Sequence, residues 1–409
     1  MYRAIQILVV LMILTSFITH TINIDSENFI IARMTFSDIF GLLAIGLFGI
    51  QFLKDKELFK QIPMGYRLGG LVVLCFLISI VTSLSVISTL AEVIILIYLI
   101  LLSITIYFTF KDQPRDSLFS IVTITTFILS SIGIYDVIAV NIGFPNVFES
   151  ANKNYGVSGF RYFGQAANYS FTMLTLLIPL KYSDFTTNYS KSKKVFLNIT
   201  ILLCMLFMIS TGRVSIFISF SIGLFIFLIV TLEKRIFKDV GIFLAFVSFF
   251  VLAIFQFTPT LFKNIAFRIA SRITHRDENK EIANLFIDNI KNTLISFSDN
   301  IWFGSGLGGF VNHYSEFEIH GSYLKVLGET GLIGVFGYVI FMVYLLYIVY
   351  RNRNSIQTNF FHYFIPFFLA SLLSWSYNYH FRKKEFWLLF AVLMIIDFNS
   401  TRKRGKIEE

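Results

Sequence analysis

Twelve long apolar stretches dominate this chain, near residues 4–20, 38–53, 68–84, 90–110, 118–140, 168–183, 195–211, 214–232, 240–258, 330–350, 360–376 and 386–398. A helix that crosses hydrocarbon needs roughly 20 apolar residues and satisfies its backbone polar groups internally. Runs of this kind therefore specify a polytopic helical membrane protein. They are continuous and do not alternate, which argues against an outer-membrane barrel. Composition agrees: of 409 residues, 56% are hydrophobic and only 14% charged, where soluble domains carry about 25% charge. A water-soluble enzyme of two or three domains is excluded, because its surface could not be made polar enough. Disorder, a collagen-like chain and a disulfide scaffold fail on the same numbers.

The expected fold is thus all-α. An N-terminal transmembrane bundle of about nine helices occupies 1–258 and a large, partly helical outer loop 259–329. C-terminal transmembrane helices fill 330–398, and a basic cytoplasmic tail follows over 399–409. Cys75 and Cys204 both fall inside apolar runs, so neither a disulfide nor a thiolate metal site is suggested. Arg3 precedes a run that reaches Ile18 without an A-x-A-like cleavage site, so an uncleaved first span is expected.

The formal net charge is +9. In a soluble protein that would suggest nucleic acid; here it reads as orientation, because basic residues accumulate in cytoplasmic loops. With the N-terminus inside, 20 of the 34 Lys and Arg residues fall on the cytoplasmic side, and seven of the other 14 lie in 259–329. That loop is too long for the charge rule to apply. The short-loop comparison, 20 against 7, places both termini in the cytoplasm.

The outer segments carry the chemistry. In the long loop Ile265, Ile269 and Ile273 repeat every four residues, as do Arg268, Arg272 and Arg276. On a helix both sets line up, which gives a guanidinium ridge beside an apolar stripe. Two readings stand: an interfacial helix facing lipid phosphates, or arginines that grip a phosphorylated substrate with a rigid fork. A second helical patch follows, with Ile282, Leu285, Phe286 and Ile290 on one side, for which packing is expected. Gly304, Gly306 and Gly309 formally match G-x-G-x-x-G, but no βαβ unit surrounds them. A tight backbone turn entering the site is the better reading. His320, about ten residues before the span at Thr330, belongs near the membrane surface. Histidine is the side chain best suited to proton transfer near neutral pH, although a lone loop histidine is more often incidental.

Three blocks together give the pattern a resemblance to the O-antigen polymerase and O-antigen ligase family of bacterial surface-glycan enzymes. The first runs Asp299-Asn-Ile-Trp-Phe-Gly-Ser-Gly-Leu-Gly-Gly-Phe310, then His320, then Gly331-Leu-Ile-Gly334. The family usually places Asn, Ser or Gln after the histidine, where this chain has Gly321. The second is Gly159-Phe-Arg161-Tyr-Phe-Gly164 with Asn168, and the third Ser210-Thr-Gly-Arg213-Val-Ser215 between two spans. The resemblance implies a glycosyltransferase C-like architecture in the bacterial inner membrane, with the active site facing the periplasm. It implies a glycan donor on undecaprenyl pyrophosphate, an acceptor hydroxyl at the outer leaflet, inversion at the anomeric carbon, and neither cofactor nor metal. Carried onto this sequence, His320 is the base, and Arg161, Arg213, Arg268 and Arg272 are candidates for the pyrophosphate. Developing charge on the leaving group is what fixed arginines stabilise in a site with little water. Arg213 is the best placed, with snorkelling to the headgroups as its plain alternative.

A metal-using variant rests on Asp25 and Glu27 in the first outer loop, or on the alternating Glu316, Glu318 and His320. Solvated loop charges are the plainer reading of both. Polymerase is favoured over ligase, and a flippase or other transporter is the distant rival, since charges inside spans are few: Glu92, Asp136 and Asp397. Expected partners are the lipid-linked glycan donor and acceptor and membrane lipids, with a chain-length regulator and a flippase alongside. Nucleic acid is not among them. Arg382-Lys383-Lys384 lies outside in this topology, against lipid phosphate or an acidic glycan. Were the last span misread, the run would instead be cytoplasmic.

Overall fold

The architecture comes from a computed structural model that describes residues 1–17, 21–26, 29–142, 144, 164–211, 213–231, 236–242, 245, 248–249, 276–311, 313–315, 318–319, 321–353 and 359–408. Eleven of the twelve expected segments fall on described helices: α1 (Tyr2–Thr15), α2 (Phe36–Lys54), α3 (Met64–Ile78), α4 (Val86–Phe110), α5 (Arg115–Ile142), α6 (Gly164–Tyr182), α7 (Lys191–Ser210), α8 (Val214–Thr231), α10 (Ser322–Arg351), α11 (Phe360–Ser374) and α12 (Lys384–Glu408). Between α8 and α10 lies α9 (Arg276–Asp299), which covers the second amphipathic patch. The expected segment 240–258 and the Arg268/Arg272 ridge lie largely or wholly outside the described residues. Among the described residues, six helices are long and apolar enough to cross a membrane, namely α2, α3 with its 3-10 extension to Thr82, α4, α5 over Asp116–Asp136, α7 and α10; α1, α8 and α11 are shorter apolar helices.

One departure from an all-helical chain is a hairpin, β1 (Thr21–Ser26) against β2 (Phe29–Thr35), antiparallel from Thr21 opposite Thr35 to Ser26 opposite Phe29. Thr-Ile-Asn-Ile-Asp-Ser alternates polar and β-branched residues, which is a strand period and not a helical one. A bulge falls at Ile24/Asp25.

The helices divide by what surrounds them. On the periphery, Leu43 of α2, Ile94 of α4, Phe225 of α8 and Phe336 of α10 stay exposed, as lipid-facing side chains should. In the middle, α12 buries every residue from Phe386 to Ile396, and α6 is nearly as enclosed from Ala166 to Leu180. Close packing rests on small residues, as expected where lipid offers no hydrophobic contrast. A Cβ on Gly65 would meet Tyr344, Met394 and Phe390, and one on Gly133 would meet Phe207. Buried hydroxyls are satisfied along their own helices: Thr105, Thr109, Thr126 and Ser130 each donate to the carbonyl four residues earlier.

Successive helices alternate between two ends. At one, Tyr2 Oη donates to the Thr109 carbonyl (2.7 Å), Lys181 pairs with Asp239 (2.7 Å), Lys193 meets Asp116 (3.6 Å), and Arg351 and Asn352 share Asp397. At the other, Ser16 meets Tyr169 (2.6 Å), and the loops before α10 and between α11 and α12 converge. The second end holds the candidate site.

Candidate functional site

The site grows from a break in α10. Gly331 adopts φ 59, ψ −160, so the helix ends at Thr330 and restarts beyond it. That left-handed conformation is one that a residue with a Cβ adopts only under strain. A Cβ there would also sit 2.6 Å from Phe303 N. The broken turn exposes backbone donors, and the incoming chain accepts from them: Leu332 N–H bonds to the Ile301 carbonyl (2.8 Å) and Ile333 N–H to that of Trp302 (3.2 Å).

The glycine-rich turn then bridges two elements. Ser305 N–H donates to the Gly328 carbonyl (3.1 Å), Leu84 N–H to Ser305 (3.0 Å), and Thr82 Oγ1 to Gly304 (2.8 Å). Gly308 N–H reaches Glu329 Oε2 at 2.7 Å. These groups are engaged with the protein itself, so the turn is a structural joint, in keeping with the rejection of a nucleotide fingerprint. The α9 helix closes the joint from the side: Ser296 Oγ donates to the Gly328 carbonyl (2.9 Å), and Thr293 packs on Gly328. Among its described side chains, Thr293 and Ser296 are buried against protein while Ile287, Leu294 and Ile295 stay exposed. Thr293 and Ser296 fall eleven residues, about three turns, after Ile282 and Leu285, so the protein-facing side continues the stripe expected to pack, and the exposed apolar face suits a membrane interface.

Two buried charges lie under the turn. Lys325 and Glu329 are 1% and 0% exposed and 3.6 Å apart, with the Lys325 ammonium 4.9 Å above the Tyr379 ring. Glu329 Oε1 has no hydrogen-bond partner among the described residues. Nothing in the sequence had singled out Lys325; the available signal was a Lys four residues before a Glu in an otherwise apolar helix start.

The run Arg382-Lys383-Lys384 ends at this same site, which answers the question of its side relative to the long loop. Arg382 pairs with Glu92 (2.9 Å) and Glu318 (3.4 Å), and Lys384 with Asp38 (2.7 Å), Thr35 and Ser37. Burial holds the Lys383 ammonium below the usual lysine range; Glu385 opposes this, while the positive charges of Arg213 and Arg382 add to it. Arg213 itself is half-buried, one residue before α8. Cations from the α7–α8 turn and the α11–α12 turn therefore share one electrostatic neighbourhood.

Beside them His380 is 3% exposed, stacked on Trp375 (centroids 3.9 Å) and Phe381 (4.6 Å). Burial lowers its pKa well below the ordinary value, so the ring is neutral. Its Nδ1 lies 2.5 Å from Ser322 Oγ.

Of the expected site residues, Arg213 is the one within the described structure. Arg161, Arg268, Arg272 and His320 lie outside the described residues, though both flanks of His320 are defined: Ile319 is buried, and Gly321 and Ser322 are tied to the turn after α11. Of the carboxylate candidates, Asp25 is paired with Ile30 in the hairpin and Glu318 with Arg382, while Glu27 and Glu316 lie outside the described residues. Among the described residues no three His, Cys, Asp or Glu side chains gather as a metal set.

Residues 199–339 match the family model described as O-antigen ligase. Over that stretch the chain is similar to the O-antigen ligase family. The matched stretch spans about a third of the chain, from within α7 to within α10, and so encloses Arg213, α9, the glycine turn, Lys325, Glu329 and the Gly331 break. It leaves out Arg161 and the Arg382–Lys384 run. No curated protein matches the chain.

Proposed function

We propose that this multi-pass membrane protein is a glycosyltransferase that polymerises oligosaccharide repeat units carried on undecaprenyl pyrophosphate into O-antigen or capsular polysaccharide. The observation that carries this reading is the match to the family model described as O-antigen ligase, whose span includes Arg213 and His320. In the reaction the anomeric C–O bond to the lipid pyrophosphate breaks as a new C–O bond forms to the acceptor hydroxyl. His320 takes the hydroxyl proton, and the leaving pyrophosphate keeps the bonding electron pair. Arg213, with Arg161 and the Arg268/Arg272 ridge, binds that pyrophosphate. The positive field of Arg382 and Lys383 near Arg213 supports an anion there. The site faces the periplasm and the basic end faces the cytoplasm, in the bacterial inner membrane.

The tests are direct. In a strain lacking the chromosomal copy, Arg213→Ala at normal membrane level should lower surface polymer about 10²- to 10³-fold, the range for removing one donor to a developing oxyanion. Arg213→Lys, which keeps a charge without the fork, should fall between. Full polymer synthesis from both Arg213→Ala and His320→Ala would sink the proposed site.

The description of the matched family favours a second reading, transfer of the finished glycan to a lipid A core or another terminal acceptor. A deletion strain separates the two. Single-repeat glycan on the surface indicates a lost polymerase, whereas long chains stranded on the lipid pyrophosphate indicate a lost ligase.

A further inference from the structure

The segment that carries His320 continues into a clamp built from a different part of the chain. Gly321 has φ 103, ψ 138, and a Cβ placed on it would collide with the Ser376 carbonyl oxygen. Ser322 N–H donates to the Trp375 carbonyl (2.8 Å). The Ser322 hydroxyl lies 2.8 Å from the Asn378 carbonyl, 2.5 Å from His380 Nδ1 and 3.1 Å from the His380 backbone N–H. A hydroxyl has one proton to give and two lone pairs to receive. The Asn378 carbonyl can only accept and the His380 N–H can only donate, so the remaining contact is completed by Nδ1–H donating to Ser322 Oγ. This fixes the tautomer and leaves Nε2 as the bare acceptor, buried without a hydrogen-bond partner among the described residues. An N–H left there would lose its water with no replacement, which is the costlier arrangement.

The ring is also held from its faces and edge, by Trp375 and Phe381 in stacks and Phe386 edge-on at 4.6 Å. Such an imidazole offers substrate neither ring nitrogen, since Nδ1 is engaged by Ser322 and Nε2 is buried. It has a fixed donor aimed at the second residue after His320. We propose that His380 is a positioning residue: with Ser322 and the Trp375–Asn378 carbonyls it locks the backbone that presents His320 to the acceptor hydroxyl. The clamp also accounts for Gly321 where the resembled family has a polar residue, since the backbone conformation and the Ser376 carbonyl leave no room for a side chain. This inference rests on the reading of His320 as the base.

The experiment measures surface glycan against membrane protein level in a deletion strain complemented with full-length variants, which supplies the natural substrate. His380→Phe keeps an aromatic ring for the stack and removes the Nδ1 donor; it should lower transfer about tenfold to a hundredfold, the scale of a misplacement near 1 Å. His380→Asn, whose amide nitrogen can stand where Nδ1 stands, should restore most of it. Where His380→Phe fails to accumulate, Ser322→Ala breaks the same contacts from the other side and should show the same loss. Full transfer by the accumulating variant overturns the clamp, as does an equal loss in His380→Asn and His380→Phe at normal level, which would point to the stack alone. His320→Ala in parallel separates the two readings. A dead His320→Ala with a fully active His380→Phe sinks the clamp only. A fully active His320→Ala sinks the reading of His320 as the base, and the positioning role falls with it.

Discussion

At the scale of single residues, the sharpest consequences come from backbone positions and from one buried ring. Gly321→Ala puts a Cβ at φ 103 and against the Ser376 carbonyl, so a loss of about 1–3 kcal/mol is expected from backbone strain alone. Gly46→Ala in α2 has nothing within 4 Å of the added carbon and should be neutral or stabilising by about 0.5–1 kcal/mol. Thermal unfolding of the purified variants in detergent checks the pair, and equal melting temperatures would contradict the geometry. His380 gives a pH dependence. Its folded pKa lies well below the ordinary value of 6.5 because burial disfavours the charged ring. The unfolded chain therefore binds a proton that the folded chain refuses, and the stability from neutral burial is complete above about pH 6.5. It declines by about 1.4 kcal/mol per unit as pH falls below that value toward the folded pKa. Melting temperatures at pH 7.5 and 5.5 should drop more for the native chain than for His380→Asn. The arginine and histidine candidates came from residue type, position in the outer segments and the family resemblance. His380 and Lys325 were not legible, because their meaning lies in partners 58 residues away and under a turn, and no local pattern marks them.

At the scale of elements, the apolar runs gave the helices because a period of 3.6 with continuous hydrophobicity admits little else. How far each helix is enclosed by the others was not legible in the runs. The last apolar run, 386–398, is the shortest of the twelve, yet α12 buries Phe386–Ile396 throughout. A helix wrapped by protein on every side is matched to its neighbours and not to lipid, so its apolar run need not be the longest. The glycine block was legible as a turn but not as a joint, since its partners, the α10 break and the Ser79–Ser83 turn, are set by packing. Lys325 and Glu329 stabilise that joint through Gly308 N–H, and breaking a buried pair leaves a charge without compensation. Lys325→Met or Glu329→Gln alone should cost about 3–5 kcal/mol. Lys325→Met with Glu329→Gln removes both charges and should recover much of the loss. A double-mutant cycle on unfolding in detergent measures this. Strict additivity would mean that the two charges do not depend on each other.

At the scale of the whole molecule, the two ends differ in what their charges do. Asp116, Asp239 and Asp397 at one end each pair with a basic residue from another element, which ties the loops of a basic face. At the other end Arg382 and Lys384 are paired with carboxylates of α4, the long loop and α2, and Lys383 feels Arg213 and Arg382 as well as Glu385 and Glu318. Like charges gathered on the side away from the basic loops need an anion more than they need orientation. The same division fixes a topology that can be measured. Tyr2, Thr109 and Lys111 lie together, and Asn399 of α12 reaches the Lys111 carbonyl. The start of α1 and the far part of α12 therefore share one end, and the glycine turn with the described residues 313–315 and 318–319 lies at the other. Reporter fusions at residue 1 and residue 409 should both give the cytoplasmic signal, and an insertion at 312 the periplasmic one. A cytoplasmic signal at 312 would turn the bundle over and remove Arg213 from the outer leaflet. Opposite signals from the two termini would mean that α1 and α12 do not cross in the register that brings Tyr2 and Asn399 together.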